Sequence, residues 1–155
     1  MRIKVIGLGS PNGDDAIGLE VARELSRETL PGGAAAVVCD RPGVDLLDEL
    51  EGIDAAVLVD ALRSGASPGS VRVLSPAQLA RGPALSSHAL GVVDALALAA
   101  ALGRRRPALR IVAVELEAER GEGLSVAGLA AVPEACRRVR TLLAELSGQA
   151  DFETD

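Results

Sequence analysis

The sequence predicts an α/β protein built on a five-stranded mixed sheet in which most strands are parallel. Val- and Ile-rich runs alternate with segments of helical periodicity, which is the pattern of successive β-α-β units. Hydrophobic residues make up 48% of the 155 positions, which is enough to fill one core, and the length gives no reason to expect a second domain. The fourth strand follows the third after too short a connection for a helical crossover, so it should run antiparallel to the third.

The elements follow from aliphatic runs bounded by Gly, Pro, Asp or Ser, and from the spacing of apolar residues between them. The expected strands are Ile3–Leu8, Ala34–Asp40, Ala55–Asp60, Ser70–Leu74 and Leu109–Glu115. The expected helices are Asp15–Glu28, Val44–Leu50, Leu90–Gly103 and Val126–Ser147, with a short one after Pro76.

The first helix shows how the helices should pack, and the last helix ends the predicted domain. In the first, Ile17, Val21 and Leu25 form one apolar stripe that should pack on the sheet. We expect a single domain over residues 1–147, followed by a polar tail over 148–155 in which disorder is expected.

Composition and charge exclude several classes of function. The chain has a net charge of −6 and one aromatic residue, Phe152, which argues against binding nucleic acid through phosphates or stacked bases. No signal peptide is recognisable at the start, and no apolar run reaches the roughly 18 residues of a membrane span. Cys39 and Cys136 form no CxxC motif and suit a reducing compartment. We therefore expect a cytoplasmic protein without a membrane or nucleic-acid partner.

Acidic residues lie where three predicted strands end. The pair Asp14-Asp15 follows the first strand, Asp40 ends the second and Asp60 ends the third. In open α/β sheets ligands bind beyond the carboxyl ends of the strands, so these carboxylates should share one rim.

Simpler interpretations exist for each of these acids. Gly7-Leu8-Gly9 followed by Asp40 resembles a dinucleotide-binding turn, but two carboxylates at the helix start would repel a pyrophosphate. Asp14 suits helix capping, whereas a second adjacent acid, Asp15, makes a bound cation more attractive. Asp60 and Asp40 could each cap a turn.

The only histidine, His88, lies just before the helix predicted from Leu90. A lone histidine is more often a structural residue than a ligand, but here it would share the rim with Asp15 and Asp60. Two carboxylates and one imidazole suit divalent metals such as nickel or zinc, and three protein ligands leave positions open for water and substrate. The spacing matches no compact metal motif, so the sequence alone leaves the site open.

At these residues the chain resembles the maturation endopeptidases of nickel–iron hydrogenases. The family opens with a strand, a GxGN turn and a pair of acids that precedes a glycine, which looks like the stretch from Gly7 to Gly18 here. Asp60 in Leu58-Val59-Asp60-Ala61 matches the family's strand-end aspartate, and His88 matches its histidine before a helix. A late motif is similar to the stretch from Glu115 to Ser125.

The resemblance implies a three-layer αβα sandwich and an endopeptidase that removes the C-terminal extension of a nickel-loaded hydrogenase large-subunit precursor. It implies that Asp15, Asp60 and His88 are the catalytic and metal-binding residues, and that the nickel is carried by the substrate. Cadmium or zinc could occupy the same site in a crystal. Asp40 is expected to orient the substrate tail.

Two other classes of function stay open at this point. One is a metal-binding or docking module on the same fold that cleaves nothing, and the other is an unrelated small-molecule hydrolase. Cleavage of a nickel-loaded precursor would distinguish the peptidase from both.

Overall fold

The computed structural model describes residues 1–10, 12–40, 43–81, 87–117 and 123–153. Within these ranges, the side chains of Val44 and of residues 87–90 and 149–153 are not described. The strands are β1 (Ile3–Leu8), β2 (Ala35–Cys39), β3 (Ala55–Leu62), β4 (Val71–Leu74) and β5 (Ala108–Glu115). The α-helices are α1 (Ile17–Leu25), α2 (Val44–Leu50), α3 (Pro76–Ala80), α4 (Ser87–Ala101) and α5 (Val126–Glu153).

The five strands form one mixed sheet in the order β2-β1-β3-β5-β4. The first four strands of this order are parallel, and β4 pairs antiparallel with β5. The predicted five-stranded, mostly parallel sheet and the reversed direction of β4 are therefore confirmed. Because β1, β2 and β3 are parallel, their carboxyl ends meet at one edge of the sheet.

Helices cover both faces of the sheet, which gives the three layers. On one face, α1 and α5 pack against side chains such as Val5, Val57 and Val112. On the other, α2, α3 and α4 pack against Ile6, Leu58 and their neighbours. Successive residues of a strand point to opposite faces, so the strands buried in the middle of the sheet need apolar residues at nearly every position.

Several element boundaries differ from those expected. A 3-10 turn, Gly13–Ala16, precedes α1, so the first helix begins at Ile17 and ends at Leu25, not at Asp15 and Glu28. Strand β3 continues two residues past Asp60, because Ala61 and Leu62 pair with the end of β5.

Helix α4 begins at Ser87 and ends at Ala101, three residues earlier at its start than expected, so His88 lies inside its first turn. Helix α5 continues past Ser147 to Glu153. None of the helices in the described part of the chain is long and apolar enough to cross a membrane.

Candidate active site

The glycines of the opening turn allow a helix to lie directly on two strands. A Cβ atom at Gly18 of α1 would come well inside 3.0 Å of the carbonyl oxygens of Leu8 in β1 and Val59 in β3. A Cβ atom at Gly7 would come equally close to the Gly18 carbonyl oxygen. The glycine pattern thus serves close packing of α1, and it holds the turn that carries Asp14 and Asp15 against the ends of β1 and β3.

Asp14 connects this turn to the start of α5. Its side chain is 5% exposed, and its Oδ1 accepts a hydrogen bond of 2.7 Å from the backbone N–H of Ser125. The Ser125 Oγ in turn accepts a 3.1 Å hydrogen bond from the N–H of Gly128 in α5. The sequence favoured Asp14 as a cap of its own helix; the carboxylate instead satisfies a backbone donor beside α5.

Asp15 points into the interior at the carboxyl rim. It is 4% exposed, and its Oδ2 accepts a 2.9 Å hydrogen bond from Ser10 Oγ. Its Oδ1 lies 3.8 Å from a guanidinium nitrogen of Arg63, the residue that follows β3. The carboxylate is therefore placed between a hydroxyl donor and a cation.

Asp60 is the sixth of the eight residues of β3 and is 5% exposed. Burial raises its pKa well above the ordinary aspartate value of 3.8, and the negative charge of Asp15 raises it further. The 2.8 Å hydrogen bond from the Ala61 N–H and the positive charge of Arg63 act in the opposite direction. Asp60 therefore holds a proton more tightly than an exposed aspartate does.

The structure brings Asp15 and Asp60 close enough for their charges to interact. The two buried carboxylates provide oxygen donors for a cation, so these residues fit a divalent metal ion. Among the described side chains no three His, Cys, Asp or Glu residues form a group that could hold a metal by themselves. The third predicted ligand, the His88 side chain, lies outside the described part of the chain.

The position of His88 in the chain can still be related to Asp60. A cavity of about 10 Å³, the size of a water molecule, lies next to Asp60 and is also lined by Val92 of α4. His88 is four residues before Val92, one helical turn nearer to the start of α4. The start of α4 is thus one turn away from a residue that lines the cavity at Asp60.

Asp40 lies farther out along the same rim. It follows β2, an edge strand of the sheet, and is exposed, whereas Asp15 and Asp60 are buried. Strand β1 lies between β2 and β3, so two inter-strand spacings, about 10 Å, separate β2 from the strand that carries Asp60. Asp40 is therefore a peripheral residue of the rim.

Arg63 and Glu115 are two residues of this region whose roles the sequence did not indicate. Glu115, at the end of β5, is 2% exposed and accepts hydrogen bonds from Ser64 N (2.7 Å), Ser64 Oγ (2.8 Å) and Gly65 N (2.9 Å). It fixes the loop that begins at Arg63. The sequence signal for Arg63 was its place three residues after Asp60.

A larger cavity lies at the opposite edge of the sheet. It measures about 300 Å³ and lies between α2 and α4, with Arg104, Arg105 and Arg106 among its lining residues. Two of these arginines have acidic partners there, since Arg104 lies 3.8 Å from Glu51 and Arg105 3.0 Å from Asp54. The cavity lies far from the buried Asp15–Asp60 pair, so its size does not make it the active site.

Comparisons with known proteins agree with one another. The family model of HycI, hydrogenase maturation protease, matches residues 20–142, which include Asp60 and His88 and begin after Asp15. Hydrogenase maturating endopeptidase HybD from Escherichia coli is 28% identical with a TM-score of 0.79, over 94% of this chain and 93% of that chain. The nickel–iron hydrogenase maturation protease HybD from Thermococcus kodakarensis is 26% identical with a TM-score of 0.76, over 92% of this chain and 99% of that chain. A search of curated protein sequences found no match.

Proposed function

This chain belongs to the hydrogenase maturation protease family, and from that premise we propose that it is a nickel-dependent endopeptidase. Its substrate is the nickel-loaded precursor of a hydrogenase large subunit, from which it removes the C-terminal extension. The observation that supports this most is the pair of buried carboxylates, Asp15 and Asp60, at the carboxyl rim of the sheet. A buried pair of acids is costly to the fold, and such costly pairs are concentrated at functional sites.

The nickel in this proposal is part of the substrate, and Asp15, Asp60 and His88 bind it. Carboxylate and imidazole ligands suit nickel. When bound, nickel supplies Lewis acidity toward the scissile carbonyl or a water molecule. Asp60 binds a cation in its charged form, which burial disfavours and a nearby positive charge favours.

The rest of the rim has a positioning role in this proposal. Asp14 joins the turn of Asp15 to α5, so it keeps Asp15 in place without contacting the substrate. Asp40 is exposed farther along the rim, where it is available to orient the C-terminal tail of the precursor. We place the reaction in the cytoplasm, with the large-subunit precursor as the partner.

A cleavage assay with two forms of the precursor tests this function. Wild-type protein is incubated with nickel-loaded and with nickel-free precursor, and the released C-terminal fragment is followed by mass spectrometry. We expect cleavage of the nickel-loaded precursor only. Equal cleavage of the nickel-free precursor would overturn the substrate-borne nickel, and cleavage of neither would favour a binding module.

Two matched variants test the site in the same assay. Asp15→Asn removes a buried carboxylate of the proposed site, and Asp94→Asn makes the same chemical change at an exposed position of α4. We expect the first variant to remain folded and to lose cleavage, and the second to cleave like the wild type. Full cleavage by folded Asp15→Asn would remove Asp15 from the mechanism.

A further inference from the structure

Arg63 lies next to Asp15 of the acidic pair and is partly exposed to solvent. Its guanidinium is 3.8 Å from Asp15 Oδ1, and its side chain is 29% exposed. Its positive charge also acts on Asp60, which lies three positions earlier in the chain, so the same cation acts on both carboxylates. Arg63 therefore contributes to the electrostatics of the site from a position between solvent and the two acids.

The loop after Arg63 is fixed by a buried side chain. Glu115 accepts three hydrogen bonds from Ser64 and Gly65, the two residues that directly follow Arg63. On its other side, Arg63 follows Leu62, whose register partner in β5 is Glu115 itself. The backbone at Arg63 is thus held from both directions, which keeps its side chain near Asp15.

The charges at the site explain what this placement does. In their charged forms Asp15 and Asp60 carry two negative charges, and Arg63 brings a positive charge next to them. A free divalent cation that binds both carboxylates must separate Asp15 from Arg63 and then lie near a positive charge. A metal ion held by a docked protein precursor has the additional free energy of the protein interface, which a free ion lacks.

From these contacts, and resting on the function proposed above, we propose that Arg63 is the specificity-determining residue that keeps free divalent metal ions out of the Asp15–Asp60 site. The positive charge of Arg63 repels a free divalent cation, which is the ligand that the site excludes. The site then responds to nickel that arrives in a precursor and not to nickel, zinc or cobalt in solution.

Metal binding by the isolated protein tests this role without any cleavage reaction. Nickel chloride is titrated by calorimetry into metal-free wild type, Arg63→Met and Arg63→Lys. We expect Arg63→Met to bind free Ni²⁺ about tenfold more tightly or more, because a positive charge next to the site is removed. Arg63→Lys keeps the charge and should remain within about threefold of the wild type on the same electrostatic argument.

Arg72→Met is the matched control. Arg72 is exposed and donates a 3.2 Å hydrogen bond to Ser64 Oγ, so this variant removes the same charge from a residue that contacts the same loop. We expect its nickel affinity to equal that of the wild type. The double variant Arg63→Met, Asp15→Asn should lose the gain, which would show that the additional binding occurs at Asp15.

The outcomes separate this inference from the proposed function. Equal nickel affinity of wild type and folded Arg63→Met would overturn the role of Arg63, and so would an equal gain in Arg72→Met. If Arg63→Met does not fold, Arg63→Gln, which keeps a polar side chain, should show the same gain, and its failure to do so would overturn the role as well. Failure of the proposed function would appear instead in the precursor assay with wild-type protein.

Discussion

Replacing Glu115 measures how much its buried carboxylate stabilises the loop beside the site. In Glu115→Ala three donors, two on Ser64 and one on Gly65, lose their acceptor. A hydrogen bond to a charged group contributes about 1.5–3 kcal/mol. Ser64 is partly exposed and Gly65 is exposed, so water replaces some of these bonds. We therefore expect a loss of about 3 kcal/mol in the free energy of unfolding.

Glu115→Gln separates the hydrogen bonds from the charge. An amide oxygen at the position of Oε1 can still accept from the N–H groups of Ser64 and Gly65, which both donate to that atom. The loss in the free energy of unfolding should then be only about 1 kcal/mol. Glu20→Ala is the control, because the Glu20 carboxylate is 45% exposed and forms only a surface pair with Arg23, worth about 0–1 kcal/mol.

Urea denaturation followed by far-ultraviolet circular dichroism is the assay, since the chain has no Trp or Tyr for fluorescence. With a slope of about 2 kcal/mol per molar urea, Glu115→Ala should lower the midpoint by about 1.5 M. A Glu115→Ala loss no larger than that of Glu20→Ala would refute the argument. An equal loss in the Gln and Ala variants would also refute it, because it would show that the retained amide oxygen does not replace the carboxylate.

Three further predictions concern the packing, charge and ligands of the site. Gly18→Ala should destabilise the fold by about 3 kcal/mol or more, because its Cβ would overlap backbone oxygens of β1 and β3. The control is Gly148→Ala in α5, which has open space around its Cβ and should be neutral or stabilising when both variants are measured by urea denaturation. Asp60→Asn should stabilise the protein at neutral pH. Because the pKa of Asp60 is raised in the folded state, the folded state binds this proton more tightly than the unfolded state does, and wild-type stability falls as pH rises above 3.8 through the folded-state pKa. The Asn side chain does not titrate, so the variant lacks this loss. A thermal-unfolding series from acid to neutral pH checks this, and a gain that grows toward acid pH would contradict it. His88→Ala should lose precursor cleavage with little change in melting temperature; cleavage at the wild-type rate would remove His88 from the site.

Local patterns predicted the main features of this fold because they depend on nearby residues. The alternation of aliphatic runs and amphipathic segments located all five strands, and the short connection after β3 indicated the direction of β4. Strand ends were less accurate, since β3 is extended past Asp60 only by its pairing with Val114 and Glu115, more than fifty residues later. Such pairing depends on tertiary structure and leaves no local signal.

The same limit applies to the site. Asp15 and Asp60 could be placed on one rim because parallel strands end together. The role of Arg63 depends on a side chain that reaches Asp15 in another element. The role of Glu115 depends on hydrogen bonds from Gly65 and Ser64, which lie 50 and 51 positions away in the chain. Asp14 looked like a helix cap in sequence, but its partner is Ser125, which only the folded chain brings near.

The Asp14–Ser125 hydrogen bond also has a consequence for the order of folding. It joins residues 111 positions apart, so the turn that carries Asp15 obtains one of its tertiary restraints only after the segment leading into α5 has been synthesised and has docked. Contacts of such long sequence separation form slowly, because a large loop must close first. A nascent chain that ends before Ser125 would carry both site carboxylates without this restraint. Competence for cleavage should therefore appear late in synthesis, as one of the last properties that the folding chain acquires.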